Sequence, residues 1–213
     1  MVKVKICGIT NLEDALVCSQ LGADALGFIF SKVSPRYISP LKAKQIVRKL
    51  DPFITKVGVF VNEDRAQVLK IAKEVGLDVL QFHGRESARF CKFFLPHFKV
   101  IKAIFPQEMS SLNLESIVKF GVGGYLFDVS WHKKLEGERK LKKGIIKKLA
   151  KFTSKISLIL SGGLNPRNIE DILKIIRPYA VDVASGVESI VGKKDMEKVR
   201  EFIKKVKLYE ATR

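Results

Sequence analysis

Short apolar runs alternate with segments of helical periodicity along the whole chain of 213 residues. The apolar runs are rich in Val, Ile and Phe at consecutive positions, as is typical of parallel strands that are buried on both faces. Eight strands are predicted, at Val2–Cys7, Ala25–Phe30, Thr55–Val61, Val79–Phe82, Lys99–Ile104, Gly124–Phe127, Ser157–Leu160 and Ala180–Ala184.

Signals for the start and the end of a helix lie between the predicted strands. Polar residues that can accept from a backbone N–H precede helical patterns, and glycines follow them. The predicted N-terminal caps are Thr10, Ser39, Asn62 and Asn165, and the predicted terminating glycines are Gly22 and Gly76. Further helices are predicted over Ser87–Leu95, Ser111–Phe120 and Asp195–Lys207.

Eight strand–helix units in a chain of this length predict an α/β protein with one (β/α)8 TIM barrel domain spanning residues 1–213. A doubly wound sheet is the structural alternative. That fold normally carries a G-x-G-x-x-G loop after its first strand, and this sequence has none there.

The net charge of +17 raises the alternative of a nucleic-acid-binding protein. Most of the 39 basic residues are lysines spread over the predicted helices, and no recognition motif accompanies them. We therefore expect no nucleic-acid partner, and interpret the positive field as attracting an anionic substrate. A surface rich in lysine and glutamate is also a common thermophile signature.

No apolar run approaches the roughly 18 residues that span a bilayer, and the first residues lack the pattern of a signal peptide. A cytoplasmic protein without a membrane partner is predicted. The three cysteines are widely spaced, and only three histidines accompany them, which argues against a disulfide scaffold and a structural zinc site. No metal or organic cofactor is predicted.

Polar residues follow the ends of the predicted strands, where β/α barrels carry their chemistry. Glycine pairs after strands seven and eight allow backbone N–H groups to approach an anion closely, so a phosphate site is predicted there. The residues of this predicted phosphate site are Gly162, Gly163, Ser185 and Gly186. The other polar candidates are Cys7, Arg36, Gln81, His83, Asp128 and Asp182.

Several motifs stand in order over almost the whole chain: Lys5–Thr10, Gly22–Phe30, Ser34–Ser39, Val57–Asn62, Gln81–Gly84, Leu160–Pro166 and Val181–Glu188. Together they resemble the motifs of phosphoribosylanthranilate isomerases of tryptophan biosynthesis. That family rearranges N-(5-phosphoribosyl)anthranilate, an aminoaldose, into 1-(2-carboxyphenylamino)-1-deoxyribulose 5-phosphate by acid–base catalysis. The resemblance implies this small-molecule substrate, no cofactor, and a monomer or a homodimer.

The resemblance also assigns roles to single residues. Cys7 would be the general base and Asp128 the general acid, and Arg36 would bind the anthranilate carboxylate. A thiol ordinarily has a pKa of about 8.5, so its surroundings must favour the thiolate for it to act as a base at neutral pH. Gln81, His83 and Asp182 either orient polar groups of the substrate or are polar residues of the barrel mouth with a structural role.

One segment departs from the family pattern. Where the family usually has a glycine-rich loop after strand six, residues 129–140 keep only Gly137 and an approximate match at Arg139. The departure affects how this loop closes over a substrate, and it leaves Asp128 in place. The nearest alternatives are indole-glycerol-phosphate synthase and the isomerase of histidine biosynthesis, which would show a Lys and Glu set or an aspartate pair at the strand ends.

Overall fold

The computed structural model describes residues 1–105, 114–128 and 143–211. Its eight parallel strands close into a barrel in chain order, β1 to β8, which confirms the predicted TIM barrel. The strands are β1 (Lys3–Cys7), β2 (Ala25–Ile29), β3 (Thr55–Phe60), β4 (Val79–Phe82), β5 (Lys99–Ile104), β6 (Gly124–Asp128), β7 (Leu158–Ser161) and β8 (Ala180–Val183). Each lies within one residue of its predicted ends.

Helices surround the barrel. They are α1 (Leu12–Gln20), α2 (Pro40–Val47), α3 (Arg65–Val75), α4 (Ala88–Phe94), α5 (Leu114–Val118), α6 (Lys143–Ala150), α7 (Ile169–Ile175) and α8 (Met196–Ala211). The first residues of the predicted fifth helix lie outside the described residues. None of the helices in the described ranges is long and apolar enough to cross a membrane.

The alternation of each strand divides its side chains between two environments. One set, with Ile6, Phe28 and Phe82, packs with the helices in the main hydrophobic core. The other set faces the barrel interior, where a smaller apolar cluster is formed by Ala103, Phe105, Leu126, Ile159 and Ala180. Polar side chains of this second set therefore lie inside the barrel, towards the carboxyl ends of its strands.

Some of the predicted helix boundaries are confirmed. The Ser39 side chain accepts from a backbone N–H at the start of α2, with Pro40 at the first helical position. Gly76 ends α3 in the left-handed conformation with φ of 79°. Gly22 follows the end of α1 with φ of 93°.

The other predicted N-terminal caps are wrong, placed one to three residues too early. Several polar residues precede each of these helices, and in each case the cap is a later one than the sequence pattern indicated. The capping positions are Asn11 in place of Thr10, Asp64 in place of Asn62, and Asn168 in place of Asn165.

A small hairpin that the apolar pattern does not predict follows the barrel. After β8, a 3₁₀ helix (Ser185–Val187) leads into β9 (Glu188–Ile190), which pairs antiparallel with β10 (Lys193–Lys194). The hairpin lies against the end of β1, since the Lys194 ammonium donates to the Cys7 carbonyl at 2.7 Å. It therefore contributes charged residues beside Cys7.

Candidate active site

Four neighbouring strands place polar residues in one layer of the barrel. In the register of the sheet, Asp128 of β6 pairs with Ser161 of β7, Ser161 with Asp182 of β8, and Asp182 with Lys5 of β1. Because Cys7 lies two residues after Lys5, the two side chains share the inner face of β1. The candidate catalytic residues at positions 7 and 128 are thus at the same end of the barrel, three strands apart around the ring.

The thiol of Cys7 is buried, with 6% of the residue exposed. Burial raises the pKa of this thiol, and the nearby positive charge of Lys5 opposes that effect. Gly27, the partner of Cys7 on β2, makes room for the thiol. A Cβ at position 27 would lie 2.7 Å from the Cys7 Sγ and 3.1 Å from the Lys5 Cε. Close packing of thiol and lysine therefore depends on glycine here.

Asp128 lies beside His83, with 3.5 Å between the carboxylate Oδ2 and the imidazole Nε2. The Gln81 amide nitrogen lies 3.0 Å from the other ring nitrogen, Nδ1. With the amide as donor, Nδ1 accepts and the ring proton of a neutral His83 is on Nε2, facing Asp128. The Phe105 ring packs edge-on against the imidazole at 5.5 Å. The structure thus brings three predicted residues, Gln81, His83 and Asp128, together in one chain of contacts.

Arg36 binds Glu188 through two hydrogen bonds, from Nε at 2.8 Å and from Nη2 at 2.6 Å. This pairing raises the pKa of the Arg36 guanidinium, which therefore stays charged. The Lys194 ammonium donates to the same carboxylate at 3.0 Å. Gly8 lies under the arginine with φ of 78°, and a Cβ there would be 2.6 Å from the Arg36 Cδ. The guanidinium edge formed by Nη1 and Nη2 still has N–H groups that can bind a further anion.

The loops after β7 and β8 are in direct contact. Gly162 and Gly163 both have positive φ, 94° and 72°. The Asn168 side-chain amide donates to the Gly163 carbonyl at 2.8 Å and stabilises the loop. A Cβ at Gly186 would lie 1.8 Å from the Leu164 carbonyl oxygen, so only glycine fits between the two loops. These loops bring the predicted phosphate-site residues together, with Ser185 exposed beside them.

Asp182 is buried, and both of its oxygens have partners inside the barrel. Its Oδ1 accepts from the Lys5 ammonium at 2.8 Å and its Oδ2 from the Ser161 hydroxyl at 3.3 Å. In contrast, the Gln81 carbonyl oxygen Oε1 is buried and has no hydrogen-bond partner in the parts of the chain that the structure describes. It is an acceptor that a substrate hydroxyl could satisfy.

Four polar residues of this site had no role assigned from the sequence: Lys5, Ser161, Glu188 and Lys194. Lys5 was detectable, because a lysine two residues before Cys7 lies on the same face of the strand as the thiol. Glu188 and Lys194 were not, because their partners lie far away in the chain and the hairpin that carries them has no apolar pattern. Residues 129–140, where the sequence departs from the resembling family, lie outside the described residues. Within residues 1–105, 114–128 and 143–211, no cluster of His, Cys, Asp and Glu could hold a metal ion.

Comparisons with known proteins agree on one family. A family model for N-(5'phosphoribosyl)anthranilate (PRA) isomerase matches residues 4–205. The N-(5'-phosphoribosyl)anthranilate isomerase of Thermotoga neapolitana is 46% identical over 97% of this chain and 99% of its own length.

Solved structures give the same result. A phosphoribosyl anthranilate isomerase in complex with reduced 1-(o-carboxyphenylamino)-1-deoxyribulose 5-phosphate is 40% identical, with a TM-score of 0.84 over 97% of this chain and 99% of that one. A structure of monomers of the dimeric enzyme from Thermotoga maritima is 39% identical, with a TM-score of 0.81 over the same shares of the two chains.

Proposed function

Because the chain belongs to the N-(5'-phosphoribosyl)anthranilate isomerase family, we propose that Cys7 is the general base and Asp128 the general acid of its reaction. The protein is an isomerase of tryptophan biosynthesis that converts phosphoribosylanthranilate into 1-(2-carboxyphenylamino)-1-deoxyribulose 5-phosphate. The match of the family model over residues 4–205 carries the assignment. The test is the decay of substrate fluorescence when the purified protein is added to freshly prepared phosphoribosylanthranilate.

In the proposed mechanism, Asp128 protonates the ribose ring oxygen while the bond between that oxygen and C1 breaks. The nitrogen lone pair forms a C=N bond to C1, giving an iminium ion. The Cys7 thiolate then removes the C2 proton, and the C–H electron pair forms a C1=C2 bond and neutralises the nitrogen. The resulting enolamine becomes the aminoketone when C1 gains a proton and the hydroxyl group on C2 loses its proton.

The position of the two groups supports this division of labour. Asp128 and Cys7 stand on strands separated by β7 and β8, so a ribose held between them presents different atoms to each. His83 and Gln81 lie on the Asp128 side, and Lys5 on the Cys7 side. We propose that Gln81 and His83 orient substrate hydroxyl groups, and that Asp182 acts beneath the substrate through its contacts with Lys5 and Ser161.

Arg36 is proposed to bind the anthranilate carboxylate through the Nη1 and Nη2 edge of its guanidinium. Glu188 and the close approach to Gly8 hold the guanidinium in place, so little ordering is needed when the substrate binds. The carboxylate persists from substrate to transition state, and the contact contributes equally to both.

We expect Arg36→Ala to raise KM roughly thirty-fold while changing kcat much less, because loss of a charge-assisted pair costs about 2 kcal/mol. Steady-state kinetics measures both parameters. Arg48→Ala removes an exposed arginine after the end of α2 and is the matched control, which should leave KM unchanged. An unaltered KM in Arg36→Ala would contradict the proposed carboxylate contact.

The loops after β7 and β8 are proposed to bind the substrate phosphate through backbone N–H groups. The residues are Gly162, Gly163, Ser185 and Gly186. The two positive-φ glycines and the direct contact of Gly186 with Leu164 support this site, because they let the chain expose N–H groups at one point.

We expect Gly186→Ala to lower kcat/KM on the order of a hundred-fold, because its Cβ would displace the Leu164 carbonyl and with it both loops. Inhibition by inorganic phosphate should weaken in parallel. Gly144→Ala, in α6, is the matched control, since a Cβ there meets nothing within 4 Å. Unchanged phosphate inhibition in a folded Gly186→Ala protein would place the phosphate elsewhere.

The assembly and location of the chain are also proposed. We propose a homodimer, because a relative is described as dimeric. Phe53, 93% exposed, lines a cavity of about 780 Å³ at the amino-terminal end of the barrel, and this face is free of the site. A solution mass of one chain would contradict this.

A cytoplasmic location, where thiols stay reduced, suits three free cysteines.

A further inference from the structure

Lys5 lies inside the barrel between two groups that compete for its positive charge. Its ammonium is 2.8 Å from the Asp182 Oδ1, and the side chains of both residues are about one-twentieth exposed. Its positive charge also acts electrostatically on the Cys7 thiol. The position that a Cβ of Gly27 would occupy lies within 3.1 Å of both the thiol sulfur and the Lys5 Cε. Thiol, ammonium and carboxylate therefore form one buried cluster.

Packing alone does not account for this cluster. Burying an ammonium and a carboxylate costs several kcal/mol for each ion, and a well-packed apolar pair is often as stable. Elsewhere in this protein, the buried Lys102 also donates to the backbone carbonyls of Phe82, the last residue of β4, and of Gly84 in the loop that follows. The Lys5 ammonium instead donates to Asp182, and its charge acts on the thiol at the reacting end of β1.

Other charged groups around Cys7 already balance one another. On the hairpin side, the Lys194 ammonium binds the Cys7 carbonyl and the Glu188 carboxylate. From the loop after β2, the guanidinium of Arg36 is within electrostatic range of the thiol and is paired with the same Glu188. Neighbouring β2 presents the uncharged Gly27. Lys5 and Asp182 are thus the charged pair inside the barrel whose balance acts on the sulfur.

We propose that Lys5 and Asp182 set the ionisation of Cys7 in opposite directions: Lys5 is a positioning residue that stabilises the thiolate, and Asp182 limits that stabilisation. This rests on the proposed function in so far as Cys7 is the base. A general base works best when its pKa lies near the pH at which the enzyme works. An unpaired lysine would make the thiolate abundant but weakly basic, and an unpaired aspartate would make it scarce.

The charges of Lys5 and Asp182 determine the direction in which the pKa of the Cys7 thiol changes when either residue is replaced. Without the ammonium, burial and the Asp182 carboxylate act on the sulfur unopposed from this side, so the thiol pKa rises. Without the carboxylate, the ammonium is free to pair with the thiolate, and the thiol pKa falls. A purely structural pair would give no such opposition, because loss of either partner would loosen the site in the same way.

The test is a pH titration of the Cys7 thiolate by its ultraviolet absorbance, taken as the difference between each protein and its Cys7→Ser counterpart. We expect the titration midpoint to rise by about one pH unit or more in Lys5→Met and to fall by a similar amount in Asp182→Asn. The acid limb of the kcat/KM profile should move in the same directions. Lys102→Met, which also breaks a buried lysine–carboxylate pair at 2.9 Å, is the control that leaves the Cys7 midpoint unchanged.

Lys5→Met leaves the buried Asp182 carboxylate without its counter-charge and is expected to lose stability, so the double variant Lys5→Met with Asp182→Asn provides a second comparison. Its midpoint should lie above that of Asp182→Asn, since the two proteins differ only in the lysine charge. Midpoints that move together in the two single variants, or a double variant that titrates like Asp182→Asn, would overturn the proposal. A fully active Cys7→Ser protein would instead overturn the role of Cys7 as base and leave the titration result standing.

Discussion

Replacing Cys7 by serine should lower kcat by at least about a hundred-fold while KM changes little, because positioned acid–base groups contribute about a hundred- to ten-thousand-fold. A hydroxyl is nearly isosteric with the thiol but does not ionise near neutral pH. It therefore occupies the same place between Lys5 and Gly27 without being able to accept the C2 proton. Single-turnover and steady-state kinetics with phosphoribosylanthranilate measure the change.

Two further measurements make this result specific. Cys18→Ala removes a cysteine of α1 whose thiol pKa is raised to about 12 by burial, and kcat should survive that change if the protein remains folded. Binding of the product to Cys7→Ser should match the parent, since the thiol acts in the proton transfer and not in binding. A folded Cys7→Ser protein whose kcat lies within a few-fold of the parent would place the base elsewhere, with His83 as the first candidate.

The periodicity of the sequence predicts the barrel because a buried parallel strand needs an apolar run whatever its neighbours are. The exact caps depend on where the backbone turns helical, and Thr10, Asn11 and Asp64 show that nearby polar residues compete for that place. The apolar pattern that predicts the strands also shows where they end, so candidate residues at the strand ends could be identified from the sequence. Once the register is fixed, Asp128, Ser161 and Asp182 fall into one layer.

The sequence does not show which residues far apart in the chain will pair with each other. Lys5 meets Asp182 and Arg36 meets Glu188 only after the barrel closes and the hairpin folds over it. The lysines also belong to two populations that composition does not separate. Lys5, Lys102 and Lys194 are buried and each is paired with a carboxylate, whereas the interpretation of the net charge treated the lysines as a solvated surface.

Asp128→Asn is expected to reduce kcat by at least about a hundred-fold with little change in KM, because the amide keeps the shape of the carboxyl group but cannot protonate the ring oxygen. Ring opening is the first bond-breaking step of the proposed mechanism, so its loss should prevent formation of the iminium ion. A rapid-quench experiment on substrate mixed with excess enzyme would then show unopened substrate. Asp171→Asn, an exposed carboxylate of α7, is the control and should leave kcat unchanged.

The comparison of the two variants decides whether acid and base act separately. In Asp128→Asn the Cys7 thiol keeps the Lys5–Asp182 pair beside it, so we expect the base to remain competent. In Cys7→Ser, the acid remains and the ring can still open, so exchange of the C2 proton with solvent should be lost although ring opening persists. If Asp128→Asn retained activity while His83→Asn lost it, the imidazole that faces Asp128 would be the acid, and the carboxylate would serve to orient it.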